Sequence, residues 1–186
     1  MNFKKTYKKA SGYTPLCKIG ECSLKKLEFG IIELEDGESV AYDTENKETA
    51  FIILEGYCTV KFNDVVWKKI GNRNTVFENK KAVSFYMPIE QKLTVEANGH
   101  VKIAVCGAVV TEKTEPQLLP EEHVILKTLG EVPYERETSF IVDGNSSKIK
   151  CHSCMQYRMW NSHLYCFSKE TSCFIRSILI IWRLTD

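Results

Sequence analysis

Ala50–Asn63, AFIILEGYCTVKFN, is the stretch whose reading decides the fold. Phe51, Ile52, Ile53 and Leu54 form a short continuous apolar run. Glu55-Gly56 is turn chemistry, and Tyr57 to Phe62 resumes with β-branched and aromatic residues. The pattern predicts a strand, a tight turn and a second strand. Four consecutive apolar side chains this rich in Ile and Phe suit a strand buried on both faces, since a helix would need more than about ten residues to place them. Further on, Tyr57, Thr59 and Lys61 alternate with Cys58, Val60 and Phe62, so one face is covered and the other is wet. Each large apolar side chain fully buried contributes about 1.5–3 kcal/mol, enough for this segment to anchor a core.

Outward from it, the chain reads as further strands. Met1–Cys22 is polar, broken by Gly12, Pro15 and Gly20, and reads as an extended arm or irregular edge. Leu27–Leu34 reads as a strand, Asp36-Gly37 as a turn, Glu38–Asp43 as a short strand and Thr44–Glu48 as a polar loop. Asp64–Ile70 is closed by Gly71-Asn72, Ala82–Met87 ends at Pro88, and Leu93–Glu96 alternates cleanly. Ala97-Asn98-Gly99 then turns into His100–Val110, the longest β-rich segment. Short strands with turn signals roughly every eight to twelve residues predict an all-β sandwich or barrel. Thr111–Glu121, with Pro116 and Pro120, reads as a linker. His123–Lys127 and Glu131–Val142 then read as the opening of a second β unit.

The composition excludes several classes. A net charge of +1 gives no reason to expect nucleic acid or a membrane surface as partner. Lys4, Lys5, Lys8 and Lys9 are followed by no apolar segment, which reads as a cytoplasmic protein without a secretory signal, its cysteines reduced. Composition changes near residue 145. Asn145–Asp186 holds none of the ten glycines or five prolines but four of the eight cysteines. The expected organisation is an arm (1–22), an amino-terminal domain (23–111), a linker (112–121), the start of a second domain (122–150) and an atypical Cys-rich tail (151–186).

The progression IIELEDGES at Ile31–Ser39, FIILEGYCTVKFN at Phe51–Asn63 and GNRNTVFENKKAVSFYMP at Gly71–Pro88 resembles the 5-deoxy-glucuronate isomerases of bacterial inositol catabolism. These are bicupins related to the uronate isomerases of pectin breakdown. The resemblance implies a cupin, a double-stranded β-helix, with the start of a second, incomplete one. It also implies aldose–ketose isomerisation of a small-molecule sugar acid by a divalent metal, zinc or manganese, held in the second cupin by histidines and a carboxylate. The stretch corresponding to the family's ligand segment is Trp160–Lys169, where no proline pair follows and Cys166 and Ser168 stand about where histidines are wanted. No metal ligand carries across, so the catalytic metal half is expected to be missing here and the metal not bound by this chain.

His100 reads as a surface or strand-end histidine, because a metal needs several convergent ligands. Arg73, Glu78 and Tyr86 would suit a sugar-acid pocket, with Arg73 pairing a carboxylate. The plainer reading, a solvated loop and a core-facing ring, is favoured. In the tail, Cys151, Cys154, His163 and Cys166 have ligand types that could hold zinc tetrahedrally. A shifted reading frame also accounts for the tail's lost Gly and Pro and its apolar end, SILIIWRLTD. The rival to catalysis is a metal-free cupin used for binding or assembly, which would form homo-oligomers.

Overall fold

The computed structural model describes residues 7–21, 25–132 and 137–142 in full, and the strand backbone alone at 136, 152–158, 162–168 and 178–180. The strands are β1 (Gly12–Cys17), β2 (Leu27–Leu34), β3 (Ser39–Asp43), β4 (Lys47–Phe62), β5 (Val65–Arg73), β6 (Ser84–Met87), β7 (Lys92–Ala97), β8 (Val101–Val109) and β9 (Gln117–Leu119). After a turn of 3-10 helix at Glu121–His123 come β10 (Ile125–Leu129), β11 (Arg136–Val142), β12 (His152–Arg158), β13 (Ser162–Ser168) and β14 (Ile178–Ile180). All pairings are antiparallel.

β4 belongs to two sheets. Its first half pairs with β8 and β6, in the order β1-β2-β8-β4-β6-β9, and its second half pairs with β5 and β7, with β3 beyond β7. The two sheets close over one interior, the cupin double-stranded β-helix. The expected turn at Glu55-Gly56 is therefore a bend within one continuous strand, and the hairpin turn falls at Asn63-Asp64, between the paired Phe62 and Val65. At Gly56 the strand leaves one sheet for the other. The β4–β8 register slips between Ile53 and Glu55, Gly56 takes φ +79°, and a Cβ there would stand 1.9 Å from the His100 carbonyl oxygen. Glycine is needed for close backbone approach at a sheet corner, which uses the same residue type as a tight turn.

Of the apolar run Phe51–Leu54, Phe51, Ile52 and Ile53 are buried on both faces of the strand as expected, while Leu54 is half-buried. Phe51 and Ile53 face the interior with Ile32, Leu34, Val60, Phe85, Val95 and Ile103. Ala50 and Ile52 face outward and are covered, with Phe29, Ile31 and Ala104, by Leu119, Val124, Ile141 and Val142. The second β unit therefore lies against the outer face of the first sheet. It continues in the order β10-β11-β12-β13-β14. Tyr57–Phe62 alternates between half-exposed and buried as read from sequence.

Other expectations shift. Thr44–Glu48 is a loop only in part: Glu45 and Asn46 form an exposed turn, but Thr44 and Glu48 are fully buried and Lys47 begins β4. The Thr44 hydroxyl donates to the Pro88 carbonyl at 2.7 Å, which lets a polar segment sit inside. β5 runs through Gly71-Asn72 to Arg73. The proline-bearing stretch contributes β9, which pairs with β6. Cys106 is disulfide-bonded, against the expectation of reduced thiols, whereas Cys58 is a buried thiol that burial pushes up to about 12. Among the described residues no helix is long and apolar enough to cross a membrane.

Candidate functional site at the mouth of the barrel

Below the mouth, the interior is filled by the protein's own rings. Tyr13 meets Tyr42 edge-on at 5.0 Å, Tyr42 meets Phe51 at 5.3 Å, and Phe51 stacks on Phe85 at 4.6 Å. Trp67 then joins Phe85 at 6.2 Å to Phe62 at 4.7 Å. Each such contact adds about 0.5–1.5 kcal/mol beyond its area, so the ladder braces the barrel across its width.

The polar groups gather at one end of this ladder. On β2, Glu28 and Gly30 share the inward parity of Ile32 and Leu34. On β4, Lys47 and Thr49 share that of Phe51 and Ile53. The Lys47 ammonium lies 3.2 Å from Glu28 Oε1 and 2.9 Å from Glu45 Oε2, and the Tyr42 hydroxyl donates to Glu28 Oε1 at 3.2 Å. Two glycines leave room for the set. A Cβ on Gly30 would stand 2.4 Å from the Tyr13 ring, and one on Gly107 would stand 2.9 Å from Glu28 Cγ. Burial pushes the Tyr42 and Tyr13 phenols well up, so both stay protonated donors. Burial works to lower the Lys47 pKa, but its bonds to Glu45 and Glu28 outweigh this and raise it. Thr49 Oγ1, buried on the same face, has no hydrogen-bond partner.

The Lys47–Glu28 pair is almost enclosed, with side chains 11% and 12% exposed, so removing one partner strands the other. Lys47→Met is expected to cost about 3 kcal/mol, and Lys47→Met/Glu28→Gln to recover at least half of it, read by urea unfolding. Because the Lys47 pKa is raised, the stability that its charge contributes is full below pH 10.5 and is lost as pH rises through the folded-state value. An additive double variant would overturn the coupling.

The residues expected to line a pocket do not converge. Arg73, expected in a solvated loop, is 1% exposed. It donates to the carbonyls of Leu54 at 3.1 Å, Ile53 at 3.3 Å and Lys80 at 3.4 Å, beside the corner at Gly56. Glu78 closes its own loop, accepting from the Asn74 amide at 2.7 Å and pairing with Lys80 at 3.0 Å. Tyr86 is buried on the outer face and donates to Glu48 Oε2 at 3.0 Å. His100 stands just before β8, with its Nε2 3.2 Å from Glu33 Oε1.

In the tail, the β12–β13 register sets Cys154 directly opposite Cys166, while His163 is opposite Tyr157. Cys151 lies outside the described residues. Sequence reasoning missed the mouth altogether. The available signal was parity: Glu28 and Lys47 stand at the ends of apolar strands, on the face that points inward.

A divalent metal does not fit the described residues. No three His, Cys, Asp or Glu converge among them, and Glu28, the carboxylate at the mouth, is engaged by Lys47 and Tyr42 above an apolar interior.

Comparison with known proteins agrees with this architecture. The chain is 29% identical over 100 residues to the 5-deoxy-glucuronate isomerase of Halalkalibacterium halodurans, covering 54% of this chain and 37% of that protein. It is 23% identical over 113 residues to the Bacillus subtilis (strain 168) protein of the same name, covering 61% and 42%. It thus spans about two fifths of the length of these curated relatives. An IolB-like protein from Salmonella typhimurium LT2 has the same fold, with a TM-score of 0.74 at 21% identity over 80% of this chain and 56% of that one. The KduI/IolB family model matches residues 3–155, and the chain belongs to that family.

Proposed function

We propose that the chain acts in the aldose–ketose isomerisation of a sugar acid, 5-deoxy-glucuronate, to its 2-keto counterpart, with the first barrel as scaffold. The observation that carries this is the family match across residues 3–155, supported by curated relatives that bear the isomerase name. The described barrel contributes rigidity and a covered outer face against which the second β unit packs. Its mouth pair is structural in this reading. The same reading carries with it a cytoplasmic role in inositol catabolism.

Turnover tests it. The purified chain is supplied with 5-deoxy-glucuronate, both without and with added zinc or manganese because the described residues offer no ligand set for a metal, and the 2-keto product is followed by NMR. Product above the protein-free rate, changed by less than about twofold in the folded Lys47→Met/Glu28→Gln variant, is the expected result. A folded chain that forms no product overturns it.

A second reading is a metal-free cupin for binding or assembly. It is favoured by the filled interior and by a mouth closed by its own ion pair. It predicts homo-oligomers by sedimentation without turnover, and measurable turnover removes it.

A further inference from the structure

Before β1 the chain crosses the outer face of the first sheet without regular structure, and alternate side chains of this segment each meet a carboxylate. The Tyr7 hydroxyl donates to Glu33 Oε2, Lys9 Nζ lies 2.8 Å from Glu35 Oε1, and the Ser11 hydroxyl donates to Glu38 Oε2 at 2.8 Å. Lys9 and Ser11 make their contacts in the open, where such bonds contribute little. Tyr7 is different. Its ring packs against the outer apolar cluster, the Lys102 ammonium lies 5.4 Å from its centroid, and the Glu33 side chain beneath is only 5% exposed. Glu33 sits on β2 opposite Lys102 of β8, on the face shared by Phe29, Ile31 and Ala104.

We propose that residues 7–11 form a detachable strap over the Glu33–His100–Lys102 cluster, latched by the Glu33 carboxylate and released when that carboxylate loses its charge. The charged and titratable groups that face Glu33 among the described residues are Tyr7 and Lys9 from the strap, His100 from the turn before β8, and Lys102 from β8 itself. With Glu33 ionised, Tyr7 and Lys9 hold the strap to it, while His100 and Lys102 help to keep it charged. With Glu33 neutral, the Tyr7 phenol loses a charged acceptor, and Lys102 and Lys9 are left facing each other without a counter-charge from Glu33. Burial works to raise the Glu33 pKa, but hydrogen bonds from Tyr7 and His100 and the charges of Lys102 and Lys9 bring it below its ordinary 4.5. The latch is therefore complete above pH 4.5 and is lost as pH falls through the folded-state value. Release uncovers the cluster and leaves the barrel core, on the other face of the sheet, untouched.

The test places 3-fluorotyrosine at position 7 of the full chain and follows its fluorine NMR signal. At pH 7.5 the wild type should show a resonance distinct from that in urea. Glu33→Gln should move it more than half way to the urea position while near-UV circular dichroism reports an intact barrel, and Glu38→Gln should move it less. Acidification should move the wild type in the same direction and leave Glu33→Gln unchanged. A Glu33→Gln resonance that stays at the wild-type position overturns the latch, as does a wild-type signal that shifts only when the barrel unfolds. Should Glu33→Gln fail to fold, Tyr7→Phe carries the test. Tryptic cleavage after Lys9 should then be at least about tenfold faster than in wild type, the shift expected for one lost charge-assisted hydrogen bond. An unchanged rate overturns the proposal.

Discussion

Gly56→Ala is expected to remove most of the protein's stability. A Cβ at this position meets the His100 carbonyl oxygen at 1.9 Å and the Val101 Cα at 3.0 Å, and both are backbone atoms at the start of β8 that no rotamer change can move aside. The φ of +79° adds conformational strain for any L side chain. Strain and displaced packing together amount to about 3–5 kcal/mol, a large share of the roughly 5–15 kcal/mol that holds a domain folded. Gly37→Ala is the control. Gly37 has nearly the same φ, +75°, but nothing lies within 4 Å of its added Cβ, so only the conformational part, about 1 kcal/mol, should be lost. Urea midpoints of the two variants separate the terms. Equal losses would mean that the corner at Gly56 has slack, and that the sheet-switching geometry of β4 is not what makes glycine necessary.

Arg73→Met is the second large loss. Methionine fills much of the same volume, so the change isolates the hydrogen bonds more than the packing. It withdraws the donors from the carbonyls of Ile53, Leu54 and Lys80, where buried acceptors cost about 1–3 kcal/mol each if left unmet. A total of about 3–5 kcal/mol is expected, measured by urea unfolding with circular dichroism. Arg73→Lys should recover little, because a single ammonium cannot reproduce a planar fork that reaches three oxygens in different directions. Full rescue by lysine would show that charge at this point, and not the geometry of its donors, is what the corner needs.

Both effects fall at the place where the sequence was least legible, and the cause is physical. Strands whose fate depends on one face read well: Leu27–Leu34 is a strand over the expected residues, and Leu93–Glu96 lies within Lys92–Ala97. Their alternation is a local property. Glu55-Gly56 carries no local mark that distinguishes a turn from a bend, since what decides between them is a carbonyl at His100, far along the chain. Thr44–Glu48 misled for a related reason. Around an exposed turn at Glu45-Asn46, its end residues are satisfied inside, by Pro88 for Thr44 and by Glu28 for Lys47, and composition cannot foresee that pairing. Arg73 looked like a surface residue because most arginines are. The mouth was invisible because Tyr13, Glu28, Tyr42 and Lys47 are common residue types on four different strands, joined by register and not by spacing. The family's signature segments, by contrast, were already present in Ile31–Ser39, Phe51–Asn63 and Gly71–Pro88, and the match across residues 3–155 extends well past them.

The path of β4 also sets an order of events. Its second half can pair with β5 at once, across the two-residue turn at Asn63-Asp64, but its first half must wait for β6 and β8, and the last of these ends at Val109. Pairings separated this widely in sequence slow folding, because the entropy of closing the loop is lost before the contacts return anything. On the ribosome, the run Ala50–Ile53 is therefore made early and covered late. This apolar run remains a bare strand edge until β8 has emerged, and in that interval it is open to pairing with a wrong partner.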